Sequence, residues 1–149
     1  MDTINEHSFR LKTDYIWNSW EIGGGYTEVG EGFNPEVGFL QRSAFRKPEA
    51  RILYHYRPKN ENSVILELRP HISYNSFWNF EGFQETSYTH IDNHWEFKSG
   101  MEIHTGLNLT TEGVLDPFEI SDGVTVLPGT YRHSESQLVF LPIKVIPFL

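Results

Sequence analysis

Met101-Glu102-Ile103-His104-Thr105-Gly106-Leu107-Asn108-Leu109-Thr110 is where the architecture can first be read. Met101, Ile103, Thr105, Leu107 and Leu109 share one parity, and Glu102, His104, Gly106, Asn108 and Thr110 share the other. Successive side chains of a strand point to opposite faces, so this period of two gives one apolar and one polar face. The same period continues upstream. Ile72, Tyr74, Trp78 and Phe80 alternate with His71, Ser73, Asn75 and Asn79, with Phe77 out of step. Ile52, Tyr54 and Tyr56 alternate with Arg51, His55 and Arg57, and Phe9, Leu11, Tyr15 and Trp17 with Arg10, Lys12, Asp14 and Asn18. Between 83 and 97 the alternation is weaker, with Ile91, Trp95 and Phe97 set against His90, Asp92, His94 and Glu96.

Turn residues punctuate these runs. Pro58-Lys59-Asn60-Glu61-Asn62, Glu81-Gly82 and Ser99-Gly100 each separate two alternating segments, as hairpin connections do. The expectation is all-β, an antiparallel meander of about six long strands, roughly 8–22, 49–57, 63–80, 83–98, 101–112 and 130–141. Segments 63–80 and 83–98 are longer than the roughly 3–10 residues usual in soluble sheets. Strands of that length outrun a bilayer's hydrocarbon core even when tilted, as in tall membrane barrels. Pro70 requires a bulge or local break in its strand. Segments 23–48 and 113–129 do not alternate and read as ordered loops. No repeat or composition shift marks an internal boundary, so 1–149 is one β-barrel-like, partial domain with an irregular tail at 142–149.

Composition narrows the functional classes. The chain has 149 residues, no cysteine, 12 Lys+Arg and 20 Asp+Glu, for a net charge of -8. Absent cysteine excludes a disulfide framework, a zinc–thiolate site and a thiol nucleophile. The acidic balance argues against nucleic acid as partner, which would need a basic face. No apolar run approaches the roughly 20 residues of a membrane-spanning helix, and this leaves a membrane barrel open. The first residues, Met1-Asp2-Thr3-Ile4-Asn5-Glu6-His7, carry no secretory signal pattern.

Two motifs stand out from the alternation. The first is Glu31-Gly32-Phe33-Asn34-Pro35-Glu36-Val37-Gly38-Phe39-Leu40-Gln41-Arg42. The second is Asp116-Pro117-Phe118-Glu119-Ile120 followed by Leu127-Pro128-Gly129-Thr130-Tyr131. Together, and in this order, they resemble segments of bacterial outer-membrane proteins ending in the domain of unknown function 5916. The resemblance runs from about Phe9 to about Leu141. It implies an exported protein with a module similar to carbohydrate-binding family nine, followed by an outer-membrane β-barrel of unestablished activity. On that footing the chain is expected to be a piece of the barrel part. The family's signal peptide and sugar-binding module would lie outside it, and two prolines in the tail break the strand pattern there. Outer-membrane lipid becomes the expected partner, and carbohydrate a further one through the missing module.

Read from its residues alone, the first motif is structural. Asn34-Pro35 starts a turn, Gly32 and Gly38 permit positive φ, Phe33 and Phe39 pack, and Glu36 can pair with Arg42. In the second, Pro117 and Phe118 open a packed segment, Pro128-Gly129 makes a turn and Tyr131 restarts a strand. A structural or ligand-contacting role is open to Phe33, Asn34, Pro35, Glu36, Gly38, Phe39, Arg42, Pro117, Phe118, Pro128, Gly129 and Tyr131.

Chemistry is sparse. His90, Asp92, His94 and Glu96 share one strand face, and Glu102 and His104 the polar face of the next, so His90, His94 and His104 are the candidate metal ligands. Such residues also line the watery interior of a barrel, and on that reading neither metal nor cofactor is assigned. Carboxylate pairs such as Glu81 and Glu85, or Glu28 and Glu31, have no fixed separation that would suit a glycosidase. There is no Gly-x-Ser-x-Gly elbow, and Gly23-Gly24-Gly25 is followed by no phosphate-binding Lys-Ser/Thr. Trp17, Trp20, Trp78 and Trp95 suit either sugar stacking or an aromatic girdle at a membrane surface. The reading is therefore a non-enzymatic outer-membrane barrel segment. The alternatives are a soluble β-sandwich or small barrel that binds carbohydrate or another small ligand, and, behind it, a hydrolase. The first two differ in one respect, whether the apolar parity faces outward or inward.

Overall fold

The computed structural model describes residues 6–142. They form nine strands and no helix: β1 (Ser8–Trp17), β2 (Trp20–Val29), β3 (Phe45–Tyr54), β4 (Ile65–Trp78), β5 (Gln84–Phe97), β6 (Glu102–Val114), β7 (Phe118–Ser121), β8 (Val124–Val126) and β9 (Gly129–Leu141). Seven of them make one sheet in the order β1-β2-β3-β4-β5-β6-β9, and β7 and β8 pair separately as a hairpin. All pairings are antiparallel. The chain is thus the all-β antiparallel meander that the alternation predicts. The sheet is open, with β1 and β9 as its edges.

The strand count differs from the expected six, for a local reason. Segment 8–22 is two strands, joined by a tight turn at Asn18-Ser19 with Asn18 at φ 48°. Asparagine tolerates this left-handed conformation, so the turn needs no glycine and is easily missed in a run of alternating residues. The triple glycine lies inside β2, so 23–48 is strand at both ends and loop only over 30–44. Glu49 lies across Gly25, where a Cβ would stand 2.7 Å from Glu49 Oε1. The side chain's absence there lets Arg10 of β1 reach over β2 and donate to Glu49 of β3 at 2.8 Å. Segment 113–129 likewise contains a hairpin, β7–β8, and not only loop.

The three expected turns form. Gly82 and Gly100 take φ of 84° and 85°, and the Ser63 amide donates to the Asn60 carbonyl at 3.0 Å. Pro70 stands in β4 without a bulge, directly opposite Asn93 of β5. The break lies in its other neighbour. β3 pairs with β4 as far as Leu53–His71, and the two strands next meet at the isolated bridge Tyr56–Leu68. Proline offers no N–H to that ladder, so the ladder stops beside it. The expected irregular tail falls largely outside the described residues.

Cross-strand register fixes what each face carries. Tyr15, Ile22, Ile52, Ile72, Ile91 and Leu107 are successive partners across six neighbouring strands. All six are 37–61% exposed. Trp17, Trp20, Tyr54, Trp95 and Phe140 share their face at one end of the sheet. Leu11, Leu66, Leu109 and Leu138, on the same face, are also exposed. The opposite face carries buried polar side chains, among them Glu67 and Asp92. Only Val29 and Phe45 form a buried apolar core among the described residues. This is the reverse of a soluble sheet, which hides its apolar face and hydrates its polar one.

The connections are sorted by end. Asn18-Ser19, 55–64 and 98–101 lie at one end of the strands, and 30–44, 79–83 and 115–128 at the other. The first will be called the turn end and the second the loop end.

Candidate functional site on the polar face

The polar face is an ion-pair lattice built by register. Arg10 and Lys47 pair with Glu49, the latter at 3.2 Å. Arg51 pairs with Glu21. Arg69 stands 3.8 Å from both Glu96 and Glu102. Long side chains over two strand widths satisfy charges that would otherwise be costly to withdraw from water.

At the turn end, His55 lies one residue beyond β3. Its backbone amide donates to the Ser19 carbonyl at 2.7 Å, which ties it to the β1–β2 turn. Its Nε2 is 2.9 Å from Glu21 and its Nδ1 2.6 Å from Glu67. The hydrogen bond to Glu21, then that to Glu67, raises its pKa above the ordinary 6.5, against the opposing effect of burial. A cationic His55 then donates from both nitrogens. A raised folded-state pKa contributes stability in full below the unfolded value, and that stability is lost as pH rises through the higher folded value. Unfolding midpoints of the folded chain should therefore fall as pH climbs above 6.5. His55→Gln should flatten that slope, and a slope unchanged in the variant would refute the assignment.

In the middle of the face, β4, β5 and β6 bring four histidines together. His71 packs against His90 and His94, with ring centroids 5.3 and 5.2 Å away. His94 stacks on His104 at 3.8 Å and 6°. Asp92 lies 3.3 Å from His94 Nε2 and 3.6 Å from His90 Nε2. Gly106 of β6, directly opposite Asp92, leaves room there: its Cβ would stand 3.6 Å from the His90 ring and 3.7 Å from the Asp92 carboxyl carbon.

Sequence reasoning placed His90, His94 and His104 on one face, and the register keeps them there. It missed His71, which the strand pattern put on the polar side of β4 but could not place against β5. The tightest group of ligand-type atoms is His71, Asp92 and His94, and His104 is not in it.

At the loop end, the two sequence motifs meet. Arg42 of the first and Phe118 of the second border one cavity of about 420 Å³, with Phe83, Glu85, Glu112 and Asp116. Arg42 pairs with Glu85 and sits 4.7 Å above the Phe77 ring. The Phe77 that broke the alternation therefore belongs to the polar face, where it also packs edge-on against Phe45 at 5.2 Å. Two expectations for the first motif are corrected. Glu36 does not pair with Arg42; it sits at φ 52°, and its amide donates to Asn34 Oδ1 at 3.2 Å in an Asx turn. Phe39 does not pack: it is 91% exposed. Gly38 takes φ 131° as anticipated, whereas Gly32 is not among the residues of positive φ. Phe33 and Pro35 are half-buried.

The second motif turns at Asp122-Gly123, with Gly123 at φ 75°, and not at Pro128-Gly129 as expected. Pro117 precedes β7, Phe118 opens it, Pro128 precedes β9, and Gly129 opens that strand. Tyr131 follows within β9, and its hydroxyl donates to the Leu127 carbonyl at 2.8 Å. Of the carboxylates weighed as pairs, Glu28 is held by Tyr26, His7 and Arg46, and Glu85 by Arg42.

No family model matches the chain, and neither curated proteins nor solved structures include a significant match to it.

Proposed function

We propose that this chain is a non-enzymatic segment of an outer-membrane-type β-barrel, with lipid against its apolar face and its polar face toward the interior. The observation that carries the reading is the inversion of polarity across one sheet. Isoleucine and leucine stand exposed in a continuous row, while Glu67 and Asp92 are withdrawn from solvent behind them. In lipid an exposed apolar face is solvated by hydrocarbon, and an interior of charges can pair and hydrate.

Strand length supports it. β4 and β5 have 14 residues each, β6 and β9 13, and β1, β2 and β3 10. About 9–11 tilted residues cross the hydrocarbon. The two longest connections, 30–44 and 115–128, lie at the same end, as the extracellular loops of such barrels do. Trp17, Trp20, Tyr54 and Trp95, gathered at the turn end, suit one interfacial girdle. In the motif family that this chain resembles, the same arrangement would be the barrel that follows a sugar-binding module. A soluble sandwich would need a second layer over the exposed row, and none of the described elements provides it.

The tryptophans give the test. Trp20, Trp78 and Trp95 belong to the apolar face, and Trp17 pairs with Trp20. After folding of the chain into vesicles, lipids brominated along the acyl chain should quench most of the tryptophan emission. Emission indifferent to bromination, in chain that sediments with the vesicles and has strand circular dichroism, would defeat the reading.

A further inference from the structure

We propose that His71, Asp92 and His94 form a binding site for a zinc-class divalent metal ion on the polar face of β4 and β5. The β4–β5 register sets His71 directly opposite Asp92, and His94 follows two residues along the same face. Each of the three offers a ligand atom within 4.8 Å of those of the other two. His94 Nε2 and Asp92 Oδ2 are 3.3 Å apart.

Asp92 provides a second, independent observation. Its side chain is 7% exposed, and its Oδ1 has no hydrogen-bond partner among the described residues. A buried carboxylate oxygen is costly unless it meets a donor or a cation. Two of the imidazoles beside it, His71 and His90, direct Nδ1 to acceptors other than Asp92. His71 Nδ1 stands 3.1 Å from the Arg69 carbonyl oxygen. That atom only accepts, so Nδ1 carries the hydrogen, and in the neutral ring Nε2 keeps its lone pair. His90 Nδ1 faces Asn108 Oδ1 at 2.6 Å in the same way, and its Nε2 is 3.6 Å from Asp92 Oδ2. Where those rings are neutral, their Nε2 atoms join the carboxylate as acceptors in a place withdrawn from water, and a cation resolves that conflict. A distal ring nitrogen bonded to a backbone carbonyl, as in His71, is also how metal-bound histidines are oriented.

The neighbouring charged groups have carboxylate partners of their own. Arg69, on the same face of β4, is turned to Glu96 and Glu102 at 3.8 Å each. His104 stacks on His94 and is engaged by Glu102 at 3.1 Å. Two imidazoles and one carboxylate suit Zn²⁺ and its borderline neighbours, not the all-oxygen preference of Ca²⁺ or Mg²⁺. The site follows from the register of β4 and β5 and holds whether or not the apolar face meets lipid.

The test is calorimetric titration of the full chain, folded in detergent micelles at neutral pH, with Zn²⁺ alone and with Mg²⁺ alone. One equivalent of zinc should bind, and magnesium should not. With free zinc at about 100 times the dissociation constant, the folded state should gain about 100-fold over the unfolded, read as a rise in Tm. His71→Gln and Asp92→Asn should each weaken zinc at least about 10-fold, while His133→Gln, on the same face of β9, should leave it unchanged. Metal-free Tm values separate loss of fold from loss of a ligand, and if Asp92→Asn does not fold, His71→Gln decides. A wild-type chain without a one-equivalent isotherm, or equal weakening by His71→Gln and His133→Gln, would overturn the site.

Discussion

Leu107→Arg should cost roughly 2–4 kcal/mol of folding free energy in lipid, and Thr110→Arg on the other face of the same strand far less. Leu107 is the β6 member of the exposed central row, opposite Ile91 of β5. If that row meets hydrocarbon, a guanidinium at its middle must be buried among acyl chains or drag water to itself. Thr110 lies opposite Tyr88 on the polar face, where an added guanidinium joins an interior already furnished with Glu and His. The measurement is the denaturant dependence of folding into vesicles for both variants. Equal losses would remove the orientation of the sheet, and with it the barrel proposal. A larger loss for Thr110→Arg would point to the opposite orientation, with the apolar row inward against a covering layer.

The chain by itself should self-associate in water. Two physical features act together. An exposed apolar row from Tyr15 to Leu107 crosses six of the seven strands, and large contiguous apolar patches drive association. In addition, among the described residues β1 and β9 are unpaired edges, each with a row of backbone donors and acceptors able to template another strand. Single-chain membrane barrels start at about eight strands, and closed barrels have no edges. Seven strands in an open meander therefore need further strands, from more chain or from other copies, before every backbone group is satisfied in lipid. Size-exclusion chromatography without detergent should show aggregate or higher oligomers. A sharp monomer peak with cooperative thermal unfolding would favour a soluble ligand-binding domain instead.

Much of this architecture is legible in the order of residues, because a strand's two faces are written in alternate positions. The parity of Met101 to Thr110, the placing of Ile72 and Tyr74 against His71 and Ser73, and the turns at Glu81-Gly82 and Ser99-Gly100 depend only on neighbours along the chain. The Asn18-Ser19 turn escaped because asparagine adopts positive φ without announcing it as glycine does. The meaning of Phe77 escaped for another reason: its partners Phe45 and Arg42 come from segments distant in sequence.

Register is where tertiary structure alone decides. Nothing along the chain says that His71 stands opposite Asp92, since a shift of two residues between β4 and β5 would preserve both faces and separate the pair. The same holds for Arg42, whose expected partner Glu36 is six positions away while its actual partner Glu85 arrives from the start of β5. Local sequence sets which side of a strand a residue occupies through the fixed pleat of the backbone. Which residues then share a site depends on hydrogen-bonded pairing between strands, and that is settled only when the whole sheet is assembled.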